Sequence, residues 1–136
     1  MNILEQAFEL AKQVRLRAYA PYSKFLVGAV IKAKGRETLF AACNVENASY
    51  GGAVCGERNA IFQMIAGLGS NVEPEFMVLV TDTPDGALPC GFCRQVMSEF
   101  CGPDFPVHIA NLKGIQKKYI LKELLPHAFN KADLPK

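Results

Sequence analysis

Two cysteine-bearing segments constrain this chain more than any other feature: Val54-Cys55-Gly56-Glu57-Arg58 and, further along, Pro89-Cys90-Gly91-Phe92-Cys93. Each stands where a helix begins. Behind the first, Ile61, Met64, Ile65 and Leu68 fall at the i, i+3, i+4, i+7 spacing of one buried helical face, and Cys93, Val96 and Phe100 read the same way behind the second. Unpaired amide N–H groups and the positive end of the helix dipole favour an anion at such a position. Cysteines there are biased toward thiolate, the form that ligates a metal.

Three thiolates around one Zn2+ leave the fourth corner of a tetrahedron open, the arrangement of a catalytic zinc and not of a closed structural one. Water takes such a corner, and zinc lowers the pKa of bound water from about 15.7 to roughly 7, which makes hydroxide available at neutral pH. Glu57, two residues from Cys55, is close enough to handle protons and badly placed to bind the same metal. That is the division of labour a hydrolytic deamination needs. Two other readings stand beside it. In a structural zinc module, Cys43, Cys101 or His108 supplies a fourth ligand and Glu57 is incidental. In a redox protein, Cys90 and Cys93 act as a dithiol, which leaves Cys55-x-Glu57 without a role.

At 136 residues, half of them apolar, the chain fits one domain (1–136) with a sizeable core. Five cysteines are an odd count, and in a cytoplasmic chain Cys-x-x-Cys is read as metal or redox chemistry before disulfide. Cys43 and Cys101 are then buried thiols that pack as small hydrophobes. A net charge of +2, with no Lys/Arg cluster interleaved with aromatics, disfavours a nucleic-acid partner. No apolar run approaches the roughly 20 residues that span a bilayer. The first residues, with Glu5 and Glu9, lack a signal peptide's basic-then-apolar layout, so a cytoplasmic protein without a membrane partner is expected.

In chain order, Asn2 with Glu5 three positions on caps a predicted helix whose stripe is Leu4, Ala7, Phe8, Ala11, Val14 and Ala18, ending before Pro21. Residues 25–31 form a nearly continuous apolar strand, and the Lys34-Gly35-Arg36 turn leads to a partner strand over 38–43. Gly28 inside the first strand implies that something approaches the backbone closely. Gly67 and Gly69 stop the first ligand helix, 76–81 is a short buried strand, and the second ligand helix ends near Gly102-Pro103. Residues 107–110 make another strand and 119–125 a short helix broken by Pro126. This order gives an α/β sandwich with helices packed on a mixed sheet.

Cys55-x-Glu57 followed by Pro89-Cys90-x-x-Cys93 resembles the signature of the zinc nucleoside and nucleobase deaminases, with a cysteine in place of its histidine. Phe25-x-Val27-Gly28-Ala29, the run from Cys43 to Tyr50, and Leu124-Leu125-Pro126 narrow the resemblance to the small, homotetrameric class of cytidine deaminase. It extends from about Tyr19 to Phe129. The resemblance implies a three-layer α/β/α sandwich, with a mixed central sheet and helices on both faces, and one Zn2+ per chain on Cys55, Cys90 and Cys93. It also implies deamination of cytidine and deoxycytidine in pyrimidine salvage, with a zinc-bound hydroxide as nucleophile and Glu57 as proton shuttle.

Roles for further residues follow from the same resemblance. Phe25 packs on the pyrimidine ring, Asn44 and Glu46 clamp the ribose, Gly56 offers the base a backbone contact, and Tyr50 belongs to the pocket or to a neighbouring subunit. Arg58 donates to a ligand sulfur, Gln95 is a weaker candidate for supporting the same group, and Phe129 reaches across a subunit interface. From the residues alone, Phe25 reads as a core aromatic, Asn44 and Glu46 as turn residues, and Arg58 equally as a surface arginine. The chain departs from the family's usual pattern at Gly56, where alanine is common, and at Asn59, where threonine is common. The implied partner is a free pyrimidine nucleoside; within the same chemistry the alternative is a blasticidin-type nucleoside deaminase.

Overall fold

Alternation along the central strands sorts the core. In β1 (Val27–Ala33), Val27, Ala29, Ile31 and Ala33 join one apolar cluster and Val30 another; in β3 (Pro74–Thr81), Met77 and Leu79 oppose Phe76, Val78 and Val80. Both faces of the sheet are apolar, so both need cover. On one side α1 (Ile3–Arg15) lays Ala7 and Ala11 against Val30, Val78 and Val80. On the other, α2 (Gly56–Leu68) and α3 (Gly91–Phe100) contribute Ala60, Ile61, Met64, Cys93 and Met97.

The computed structural model describes residues 1–135. Beside β1 lies β2 (Leu39–Cys43), while β4 (Pro106–Ala110) and β5 (Ile115–Ile120) extend the sheet beyond β3, giving the order β2-β1-β3-β4-β5. Strands β3 and β4 run parallel and the remaining pairs antiparallel. The sheet is therefore mixed, with helices on both faces, and the three-layer sandwich holds. No helix among the described residues is long and apolar enough to cross a membrane.

Local sequence accounts for most of the element boundaries. Asn2 Oδ1 accepts the Glu5 amide at 2.8 Å and starts α1 as its sequence position predicts. Gly69, at φ 85°, closes α2 in a backbone conformation that L side chains avoid. The end of the chain requires a correction. Residues 119–125 read as a helix, but Tyr119 and Ile120 finish β5, and only Leu121–Leu124 is helical (α4). Gln116, Lys117 and Lys118 carry none of the apolar alternation that announces a strand, because β5 is an exposed edge. Its backbone pairs with β4 while the lysines stay in water and discourage pairing with another chain.

Gly28 shows what the small residues of α1 are for. A Cβ at this position would sit 2.0 Å from the Ala11 carbonyl oxygen and 2.9 Å from Arg15 Cβ. The close approach inferred from the sequence is thus the helix backbone itself. Gly28→Ala is expected to lower the free energy of unfolding by about 2–3 kcal/mol or more, because neither the sheet nor the helix backbone can yield cheaply. Urea denaturation measures this; an unchanged midpoint would mean that α1 is not seated on β1 as described.

Candidate active site

The cysteine groups do mark helix starts. Cys55 is the N-cap of α2, Cys90 is the N-cap of α3, and Cys93 lies in the first turn of α3. The Cys90 sulfur accepts the Cys93 amide at 3.5 Å, as a capping side chain does. Cys55 Sγ and Cys90 Sγ are 3.6 Å apart, and all three sulfurs lie within 4.8 Å of one another. Zinc–sulfur bonds of about 2.3 Å in a tetrahedron place their sulfurs roughly 3.8 Å apart, so the cluster fits one such ion. Thiolate donors suit zinc as well. Among the described residues no fourth His, Cys, Asp or Glu joins the group. Cys43, Cys101 and His108 stand outside it, which removes the fourth ligand that a structural module requires.

Charge is organised around these sulfurs. The Cys55 thiol is pulled down to about 5, first by its hydrogen bond with Cys93 and further by Arg58, against the opposing effect of burial. Cys93 is pushed well above the ordinary thiol range by the same hydrogen bond and then by burial, so a proton is held within the sulfur group. A metal bound here displaces that proton. Arg58 Nη2 donates to Cys55 Sγ at 3.5 Å. Glu57 is only 4% exposed, and burial above all, with the Cys55 charge adding to it, pushes its carboxyl up to about 7. A carboxyl poised there takes and gives a proton with nearly equal ease at neutral pH.

Over this group opens a cleft of about 290 Å³ whose lining includes Phe25, Asn44, Glu46, Cys55, Glu57 and Cys90. Asn44 holds its wall together: Oδ1 accepts the Val27 amide and Nδ2 donates to the Phe25 carbonyl, both at 2.8 Å. Glu46 Oε1 accepts the Tyr22 and Ser23 amides at 3.0 and 3.1 Å, and Oε2 accepts the Ser23 hydroxyl. The Ser23 hydroxyl is the main reason that the Glu46 carboxyl lies below its ordinary range. Both residues also line the cleft. The rest of the lining is largely apolar, with Val27, Val54 and Leu79 among its residues.

Residues 1–109 match the family described as the cytidine and deoxycytidylate deaminase zinc-binding region. The chain belongs to that family. It is 41% identical over 132 residues to a cytidine deaminase of Sporosarcina psychrophila, covering 96% of this chain and 94% of that protein. A cytidine deaminase of Halalkalibacterium halodurans is 42% identical over 124 residues, 91% of this chain and 92% of the relative. Among solved structures, the cytidine deaminase of Burkholderia pseudomallei superposes with a TM-score of 0.84 at 39% identity, covering 92% of this chain and 98% of that one.

The remaining residues singled out in the sequence occupy the following places. Gly56 is buried where a Cβ would lie 3.3 Å from the Cys43 carbonyl carbon, and Asn59 Nδ2 donates to the Cys43 oxygen at 2.9 Å. The two departures from the usual family pattern thus occupy one spot, docking α2 on the Cys43–Asn44 backbone. Tyr50 is outside the cleft: it is 77% exposed and packs edge-on against Tyr22, with ring centroids 5.8 Å apart. Gln95 makes no hydrogen bond to the sulfurs; its amide donates at 2.8 Å to the carbonyl of Phe129, whose ring is exposed. Sequence reasoning passed over Ser23, Thr81 and Leu88, which also line the cleft. Ser23 follows Pro21-Tyr22 in an ordinary turn, and only its partner Glu46 reveals its use.

The geometry predicts how each cysteine behaves on substitution. Alanine at Cys55, Cys90 or Cys93 is expected to abolish retention of the one zinc per chain, whereas alanine at Cys43 or Cys101 leaves the ion in place. Metal analysis after exhaustive dialysis decides it, and zinc loss from the Cys43 or Cys101 variant would move a ligand outside the group described.

Proposed function

We propose that this protein catalyses the hydrolytic deamination of cytidine and deoxycytidine, releasing ammonia and the corresponding uracil nucleoside, as a step of pyrimidine salvage. The observation that carries this reading is the placing of Glu57. A buried carboxyl stands beside three sulfurs suited to one metal ion, at the bottom of a cleft the size of a small ligand.

Bound at the three sulfurs, zinc supplies the Lewis acidity that makes a nucleophilic oxygen available near neutral pH. Glu57 takes one proton from the attacking water and delivers it to N3 of the cytosine ring, leaving C4 open to attack. The same carboxyl then moves the second proton to the amino group. The C4–N bond breaks with its electron pair on nitrogen, ammonia leaves, and C4 keeps the oxygen as a carbonyl. Both protons of water are accounted for, one on N3 and one in ammonia. Low exposure at Glu57 keeps the shuttled protons from solvent.

Substrate binding follows the lining of the cleft. Phe25 packs on the pyrimidine ring and the Gly56 backbone meets the base. Asn44 and Glu46 retain one free N–H and unused carboxylate lone pairs for the sugar hydroxyls. Arg58 offsets part of the charge on the sulfurs. The exposed rings of Tyr50 and Phe129 support a further element of the proposal, a homotetramer in which neighbouring subunits close the clefts. Sedimentation tests that element: a fully active monomer refutes it.

For the reaction itself, Glu57→Gln is expected to give a folded protein that keeps its zinc and loses deamination by about 10²- to 10⁴-fold. The fall in ultraviolet absorbance as cytidine becomes uridine provides the assay. Retained turnover would discard the proposed shuttle. Offered cytidine, deoxycytidine, blasticidin and single-stranded DNA in parallel, the wild-type protein is expected to turn over the first two; a preference for blasticidin or DNA would reassign the substrate.

A further inference from the structure

Phe92 lies between two of the sulfur ligands, Cys90 and Cys93, yet it is 65% exposed. Within the chain, burial does not explain a phenylalanine there. Its ring instead carries the Arg58 guanidinium, whose central carbon lies 4.1 Å from the ring centroid. Arg58 comes from the other ligand helix, where its Nη2 reaches Cys55 Sγ at 3.5 Å. Its Nε is buried with no hydrogen-bond partner among the described residues.

Held only by weak N–H···S contacts to Cys55 and Cys93 and with Nε idle, the guanidinium keeps freedom to turn about its own stem. A ring face removes that freedom, because a planar cation stacks on it in a fixed plane. The contact also joins α2 to α3 beside the metal site, since Arg58 follows Cys55 on α2 and Phe92 precedes Cys93 on α3. The charge arithmetic gives it a purpose. Three thiolates on a divalent ion sum to minus one, and the Arg58 cation is the group set against them.

We infer that Phe92 is a positioning residue for the metal centre: its ring face holds the Arg58 guanidinium on the Cys55 sulfur and so slows loss of the ion. This rests on the three-sulfur zinc site proposed above. Cation–π contacts at exposed positions contribute roughly 0.5–1 kcal/mol, which corresponds to a change of about two- to fivefold in a rate or equilibrium constant.

The test uses zinc-loaded protein challenged with an excess of a chromophoric chelator, which reads the rate of zinc release. Phe92→Leu is expected to speed release about two- to fivefold, and Phe92→Tyr, which keeps the ring, to match the wild type. In an Arg58→Gln background, adding Phe92→Leu is expected to change nothing further. The inference is overturned if Phe92→Leu releases zinc at the wild-type rate, if Phe92→Tyr behaves as Phe92→Leu does, or if the leucine effect persists undiminished without Arg58. A wild-type protein that holds no zinc at all would instead overturn the metal site, and the inference with it.

Discussion

Two helix starts must meet at three sulfur atoms, and much of the chain's packing near the cleft serves that meeting. Helix α2 is seated by Gly56, which lets it touch the Cys43–Asn44 backbone, and by Asn59, which donates to the Cys43 carbonyl. Ahead of it, Val45 and Val54 exchange amide and carbonyl bonds at 2.9 and 3.0 Å and fix where the helix begins. Helix α3 is anchored by Arg94, whose guanidinium donates to the Pro89 and Leu124 carbonyls at 2.7 Å each. Beneath both, the apolar face of the sheet supplies a rigid floor. Sites built on such elements hold their geometry better than sites carried on loops.

The same packing sets the chemistry. Because Glu57 sits at the start of a helix whose next turns are in the core, its carboxyl is taken out of water and its proton affinity rises. Glu46 is in the opposite situation. It meets two backbone amides and a hydroxyl at the rim, which favour its ionised form. Two carboxyls of one cleft thereby differ in proton affinity, one raised by burial and the other lowered by the donors it meets. Relatives named as cytidine deaminases align with more than nine-tenths of this chain.

Elements with strong periodicity were legible before any coordinates: the capped first helix, the hairpin, and the two ligand helices with their cysteines at the start. Strand β5 was not, because an exposed edge strand is stabilised by backbone pairing and leaves its side chains polar. In the site, the sulfurs, Glu57 and Arg58 were legible from spacing and resemblance together. Gln95 follows the metal-binding pair closely in sequence, yet its amide turns to the Phe129 carbonyl, since adjacency along a helix says little about which way a side chain faces. Ser23 and Thr81 were passed over for the converse reason: unremarkable residues acquire a role only from what folding puts opposite them.

Residue order alone was enough to specify the periodic elements, the caps, the trio of sulfur ligands and the carboxyl beside them. Those features depend on neighbours within a turn or two, or on a motif read directly. Three-dimensional packing had to decide how dry Glu57 becomes, what presses on Gly28 and which ring carries the Arg58 cation. Each of those outcomes is an electrostatic or steric interaction between groups that the fold alone makes adjacent. Such interactions fall away within a few ångströms, so no local pattern along the chain encodes them.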